Sequence, residues 1–133
     1  MNNCIVSKIS IISKTQHMKN KDVIAGISGV AYYLPQLVKT SAEIEELINV
    51  HLKPAITPGS IERMTGIIKR HVSGEDEYNS TLAIAACRIL FEKEKIDPNE
   101  INLLIFAATG QDILEPATAH IVQAEIGTHC PVI

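Results

Sequence analysis

The residues able to do chemistry are few and scattered. The five histidines (His17, His51, His71, His120 and His129) include no pair at i, i+4, and there is neither an HExxH nor a CxxC pattern. The usual zinc spacings are therefore missing. His129 and Cys130 are adjacent, a placement that rarely lets both side chains reach one ion, and no metal site is expected. A nucleophilic thiolate needs a base or a helix N-terminus to lower its pKa. Cys87 lies inside an apolar run, and Cys130 opens a short apolar strand in which His129 points to the opposite face. Both are expected to be small core hydrophobes, and no catalytic residue is assigned. Gly26-Ile27-Ser28-Gly29 lacks the third glycine and the Lys-Ser/Thr ending of phosphate loops, so its glycines are read as aids to close backbone packing. Glu43, Glu45 and Glu46, and again Glu75, Asp76 and Glu77, read as solvated surface charge. Arg63, Lys69 and Arg70 flank Thr65-Gly66-Ile67. They suit a phosphate or an acidic partner, beside the simpler reading of a solvated face.

The elements that must position these residues follow from local patterns. Val23 to Val30 is a β-branched run read as a buried strand, ended by Leu34-Pro35. Thr40 and Glu43 have capping-box spacing, and Ile44, Leu47 and Ile48 then mark one helical face. Pro54 and Pro58-Gly59 mark a loop. Ser60 to Met64 reads as a helical turn, and Ile67 to Val72 as a short extended piece. Asn79 or Ser80 caps a helix to about Lys95 that is apolar nearly all round, hence covered on more than one side. Asp97-Pro98-Asn99 is a turn, and Ile101 to Ala108 is the clearest buried strand, with a loop from Thr109 to Asp112 at its carboxyl end. Pro116 fits the first position, and Gly127 the stop, of a last helix with Ala119, Val122 and Ile126 on one stripe. Pro131 to Ile133 opens another strand. Strands alternating with helices imply an α/β fold with parallel pairings.

Composition bounds the function classes. The chain has 133 residues, 46% hydrophobic and 20% charged, with 4% aromatic and no Trp, which calls for an aliphatic globular core. A net charge of −3 gives no support for nucleic-acid binding, and no apolar stretch is long enough for a membrane span. The three cysteines, Cys4, Cys87 and Cys130, form no disulfide framework, so a cytoplasmic setting is expected. The N-terminal apolar stretch is broken by Lys8 and Lys14, which is poor for a signal peptide, and Met18 reads as an alternative start. Residues 1–21 are expected to be a disordered extension, and residues 22–133 the folded part.

Several motifs, in order, resemble a known family. Gly29-Val-Ala-Tyr-Tyr-Leu-Pro35 with Thr40-Ser41-Ala42-Glu43 resembles the opening of β-ketoacyl-ACP synthase III. So does Ile61-Glu-Arg-Met-Thr-Gly-Ile67 followed by Arg70-His71. Asp97 to Thr109 is similar to the family's turn and strand before its substrate loop, and Pro116 to Gly127 with Cys130-Pro-Val-Ile133 to the helix and strand that follow. The resemblance covers about residues 22–133 and implies a thiolase-like fold, here the incomplete N-terminal part of the first α/β domain, a mixed sheet with flanking helices. In the complete enzymes it implies duplicated domains in five α-β-α-β-α layers and a dimer. A cysteine takes an acyl group from a thioester, and a His and an Asn assist decarboxylative condensation with malonyl-ACP. A thiolate at a helix N-terminus, beside backbone amides that hold an oxyanion, makes such chemistry intelligible.

The family's nucleophile follows the strand that Cys130 opens, so Cys130 is not promoted to that role, and the His and Asn belong to the second domain. The chain is accordingly expected to be an inactive part of an acyltransferase of fatty-acid or polyketide-type biosynthesis. The alternatives are a non-catalytic dimerisation or binding subunit, or half of a split condensing enzyme. Arg63, Thr65 and Arg70 are the substrate-binding candidates. Where the family's fatty-acid members place a Trp and an Arg around the CoA adenine, this chain has Ser60 and Met64, with Arg63 one place off. An acyl-carrier donor therefore fits as well as acyl-CoA. Leu114, Glu115 and Pro116 are candidates for the dimer and acyl-pocket loop. Glu115 stands where the family usually has an apolar residue, which implies a small or polar acyl group or a differently placed loop. A homodimer or a companion C-terminal segment is the expected partner, and no cofactor is implied.

Overall fold

The computed structural model describes the backbone of residues 7–12 and the whole of residues 26–133. The chain divides into two compact units. Among the described residues, one comprises residues 34–77, and the other residues 7–12, 26–33 and 78–133.

In the first unit, strand β3 (Val38–Thr40) leads into helix α1 (Ser41–Asn49), then helix α2 (Ser60–Thr65) and strand β4 (Lys69–His71). (Strands β1 and β2 belong to the second unit.) The local start signal works as expected. The Thr40 hydroxyl accepts from the Glu43 amide at 3.2 Å, and the Glu43 carboxylate accepts from the Thr40 amide at 2.7 Å, a complete capping box. The Thr40 amide and hydroxyl together hold the Glu43 carboxyl below its ordinary range. β3 and β4 pair antiparallel, with Lys39 opposite Arg70. The pairing is antiparallel where parallel pairing was expected. The apolar face expected on α1 is also corrected, since Leu47 is 51% exposed while Ser41 and Glu45 are buried.

In the second unit, strand β1 (Ser7–Ile12) pairs antiparallel with β2 (Ile27–Tyr33), in register from Ser7 opposite Tyr33 to Ile11 opposite Gly29. The expected extension over residues 1–21 lies outside the described residues apart from this paired stretch. The buried strand expected over Val23 to Val30 lies in part outside them too. The described strand runs later and is only partly buried, with Gly29 and Ala31 buried but Ile27 and Tyr32 exposed. Helix α3 (Asn79–Glu94) packs against both strands and against helix α4 (Thr118–Ile126). It is covered on more than one side, as its all-round apolar sequence implies. Ala83, Ile84 and Cys87 join Leu104, Val122, Ile126 and Cys130 in one core cluster. Leu90, fully buried, serves the side of α3 that meets β2. There Gly29 is required by close approach, because a Cβ on it would lie 3.2 Å from Leu90 Cδ1 and 2.8 Å from Glu94 Cγ.

The turn at Asp97 is present, its carboxylate accepting from the Asn99 amide at 2.9 Å ahead of a short 3-10 turn, Pro98–Glu100. The strand expected over Ile101 to Ala108 is narrower than its sequence suggests. It pairs in parallel with Pro131–Ile133 through Leu104 and Phe106, with bonds of 3.0, 3.0 and 2.8 Å. It is also buried on one face only: Leu104 is in the core, but Leu103 and Ile105 are 48% and 66% exposed. Helix α4 starts two residues later than Pro116 implies. Ala117 is its N-cap and Thr118 its first residue, because the Thr118 hydroxyl is tied to the Asp112 amide. Gly127 ends α4 in the left-handed conformation, as expected.

Candidate functional site

The anion candidates lie on α2, β4 and the turn between them. Gly66, at φ 69°, ends α2 in the left-handed region that disfavours side chains, and swings the chain towards β4. Thr65 completes the turn, its hydroxyl donating to the Ile61 carbonyl at 2.7 Å and accepting from the Ile67 amide at 3.2 Å. Its oxygen is thus engaged by backbone, and Thr65 shapes the turn. The Arg63 guanidinium is exposed and donates to Ser60 Oγ at 3.1 Å. Arg70 is half-buried on β4. Among the described residues neither arginine forms an ion pair, which leaves both charges available to an anion. Arg63, Thr65 and Arg70 therefore belong to one unit, whereas Leu114, Glu115 and Pro116 belong to the other.

Sequence reasoning missed what holds α2. Gly59 is its N-cap and offers no side-chain oxygen to the free amides of the first turn. Glu45, read as surface charge, is 4% exposed and supplies the acceptors from α1. Its two oxygens accept from the Gly59 amide at 2.7 Å and the Ile61 amide at 2.6 Å. These bonds, Ile61 first and then Gly59, hold its carboxyl below the ordinary range. Four residues earlier, the buried Ser41 donates its hydroxyl to the Ile67 carbonyl and its amide to the Ile68 carbonyl at 2.8 Å. A helix opening on glycine, with no capping side chain of its own, is the signal that points to a remote acceptor.

A depressed carboxyl pKa makes stability depend on pH with a definite sign. The Glu45 contribution is fully present above the unfolded pKa of about 4.3 and is lost as pH falls through the lower folded value. The gap in urea midpoint between the wild type and Glu45→Gln is therefore expected to hold steady down to about pH 5 and then to close. A gap that stays constant to about pH 2 would exclude this role for the charge.

The loop after Leu104 and Phe106 is organised by Asp112. Its carboxylate accepts from the Asn79 and Ser80 amides, both at 2.9 Å, and so caps α3. The expected cap at Asn79 or Ser80 is thereby corrected. Both residues are already helical, and the capping oxygens come from Asp112. Asn79 Nδ2 also donates to the Gly110 carbonyl at 3.0 Å. Beyond this anchor the loop is open, with Leu114 87% exposed and Glu115 and Pro116 exposed beside it.

Neither described cysteine is poised for catalysis. Cys87 is 1% exposed, and burial pushes its thiol up to about 11. Cys130 is buried in the same core cluster while His129 is exposed, although Cys130 lies in a bend before the paired stretch and does not open a strand as expected. Cys4 lies outside the described residues. Among the described residues, no group of three or more His, Cys, Asp or Glu is placed to hold a metal ion.

Comparison with known proteins places this arrangement. No family model matches the chain. The β-ketoacyl-[acyl-carrier-protein] synthase III of Hyphomonas neptunium is 38% identical over 102 residues, covering 77% of this chain and 30% of that protein. Among solved structures, the synthase III (FabH) of Thermus thermophilus superposes with a TM-score of 0.66 at 32% identity, covering 81% of this chain and 32% of its own. OleA of Xanthomonas campestris gives a TM-score of 0.66 at 30% identity, over 79% and 33%. The chain spans about 30% of the length of the curated relatives it matches. By the order of its motifs, its sequence identity and its thiolase-like α/β fold, the chain resembles part of β-ketoacyl-ACP synthase III.

Proposed function

We propose that this chain is part of an acyltransferase that condenses an acyl thioester with malonyl-ACP, with decarboxylation, in fatty-acid or polyketide-type biosynthesis. The match to β-ketoacyl-ACP synthase III along most of the chain carries this reading. Arg63 and Arg70, which form no ion pair among the described residues, bind the phosphate-bearing end of the thioester, whether acyl-CoA or an acyl-carrier protein, with Thr65 shaping the turn. Leu114, Glu115 and Pro116 form the dimer and acyl-pocket loop. The exposed Leu114 supplies its apolar contact, and Glu115 remains in water. The chain alone is read as catalytically silent, since among the described residues Cys87 is held protonated and Cys130 is buried. Among the described residues, both cysteines are unpaired, which agrees with a cytoplasmic setting. Among the described residues no helix is long and apolar enough to cross a membrane.

A second reading, a non-catalytic half that needs a companion segment or a second copy, is favoured by the apolar face of Leu103, Ile105 and Ile133. The test is fragment complementation. The chain alone is expected to give no condensation product from acyl-CoA and malonyl-ACP. Adding the remaining two-thirds of a synthase III relative is expected to restore product, with Arg63→Ala weakening CoA binding about tenfold, as loss of a charged hydrogen-bonding group implies. Product from the chain alone would refute its silence, and no product on complementation would refute the acyltransferase reading.

A further inference from the structure

α1 reaches the anion-binding segment at both ends. Glu45 takes the Gly59 and Ile61 amides at the start of α2, and Ser41 takes the Ile67 and Ile68 carbonyls beyond its end. The two side chains are four residues apart on one helical face, and both are buried, although neither is apolar. Burial of polar groups in this way is tolerated because each is satisfied. What they satisfy is backbone of a segment with little other support. Within α2 no residue is buried, and Arg63, Met64, Thr65, Gly66, Ile67 and Ile68 are all exposed. Apolar packing therefore does little to fix the direction of Arg63, and the bonds from α1 take its place.

We propose that Ser41 and Glu45 form a two-ended polar clamp through which α1 sets the conformation of residues 59–68, making both of them positioning residues for phosphate recognition by Arg63. The proposal rests on the reading of that segment as the site of a phosphate-bearing thioester. Neither residue touches the ligand. Each acts through the backbone it holds. Donor and acceptor directions also fix the clamp's polarity: Glu45 can only accept, and it meets amides, while the Ser41 hydroxyl donates, and it meets a carbonyl. Glu45→Gln preserves shape and one acceptor oxygen but turns an NH2 group towards one of the two amides. It is the conservative variant, and Glu45→Ala is the severe one.

The full chain is tested by NMR amide exchange and by titration with coenzyme A. In Glu45→Gln the Gly59 and Ile61 amides are expected to exchange about tenfold faster, while Ala86 in the buried helix α3 is unchanged. Coenzyme A affinity is expected to fall about tenfold in Glu45→Ala and by less in Glu45→Gln, with far-UV dichroism unchanged. A role confined to overall stability would instead raise exchange everywhere together. Should both Glu45 variants unfold, Ser41→Ala reads the other end and is expected to weaken coenzyme A binding severalfold. Unchanged exchange and affinity in the variants, with binding lost in Arg63→Ala, would overturn the clamp and leave the phosphate reading intact. If the wild type binds neither coenzyme A nor an acyl-carrier protein, the phosphate reading fails. The exchange at Gly59 and Ile61 then decides the clamp by itself, faster exchange supporting it and unchanged exchange overturning it.

Discussion

Replacing Leu90 with alanine is expected to destabilise the chain by about 2–5 kcal/mol, measured as a shift in the urea unfolding midpoint. Leu90 is fully buried on α3 against β2, so the truncation loses transfer free energy and leaves a cavity that packed neighbours fill only in part. Against a typical total of about 5–15 kcal/mol, that is enough to leave the chain marginal. The companion change is at Gly29. A methyl group there would meet Leu90 Cδ1 at 3.2 Å and Glu94 Cγ at 2.8 Å. Gly29→Ala is thus expected to cost about 1–3 kcal/mol by overpacking, some of it relieved if the Glu94 side chain turns away. In the Leu90→Ala background the Leu90 clash is gone, and the new methyl group partly fills the cavity. The double variant should therefore be more stable than the sum of the two single costs predicts. Strict additivity would mean that β2 does not approach α3 as closely at Gly29 as these distances state.

The elements that were legible in the sequence are those whose determinants are local. Thr40 and Glu43 cap α1 because the box spans only four residues. α3 was legible from its length and all-round apolar character, and Gly127 as the stop of α4 from its freedom at positive φ. The family was legible because its motifs recur in order along most of the chain, so their combination is far more specific than any one piece. What failed was decided by partners distant in sequence. Nothing near Leu103 and Ile105 shows that Ile101, Leu104 and Phe106 turn to the core of this unit while these two do not. Glu45 sits between Ile44 and Glu46 in an acidic run, and local reading assigns it to solvent. Its burial is imposed by Gly59, fourteen residues on. The antiparallel β3–β4 pairing likewise joins residues about thirty positions apart, Thr40 with Lys69 and Val38 with His71. The candidate site was legible as residue types, Arg63 and Arg70 about a Thr-Gly turn, but the buried polar supports behind it were not.

The same logic of remote capping yields the second large effect. α3 begins at Asn79 after Tyr78, and its first amides are met by a carboxylate more than thirty residues away. Asp112→Ala removes both acceptors at once. The Asn79 and Ser80 amides then lack partners at a part-buried helix start, and the negative charge opposite the N-terminal end of the helix dipole is gone. A lost cap with charge-assisted bonds corresponds to about 2 kcal/mol. Asp112→Asn retains one acceptor oxygen but directs an NH2 group at the other amide, so it should fall between the alanine variant and the wild type. The damage should also reach the loop. The Asp112 amide donates to Thr118 Oγ1 at the start of α4, and the Gly110 carbonyl accepts from Asn79 Nδ2. Amide exchange in residues 109–118 is therefore expected to rise with that of the first turn of α3, in a single local opening that carries Leu114, Glu115 and Pro116 with it. A cap that acted on α3 alone would loosen the first turn and leave the loop protected. Exchange rising in both places together would show that one carboxylate fixes the start of α3 and the base of the exposed loop as a unit.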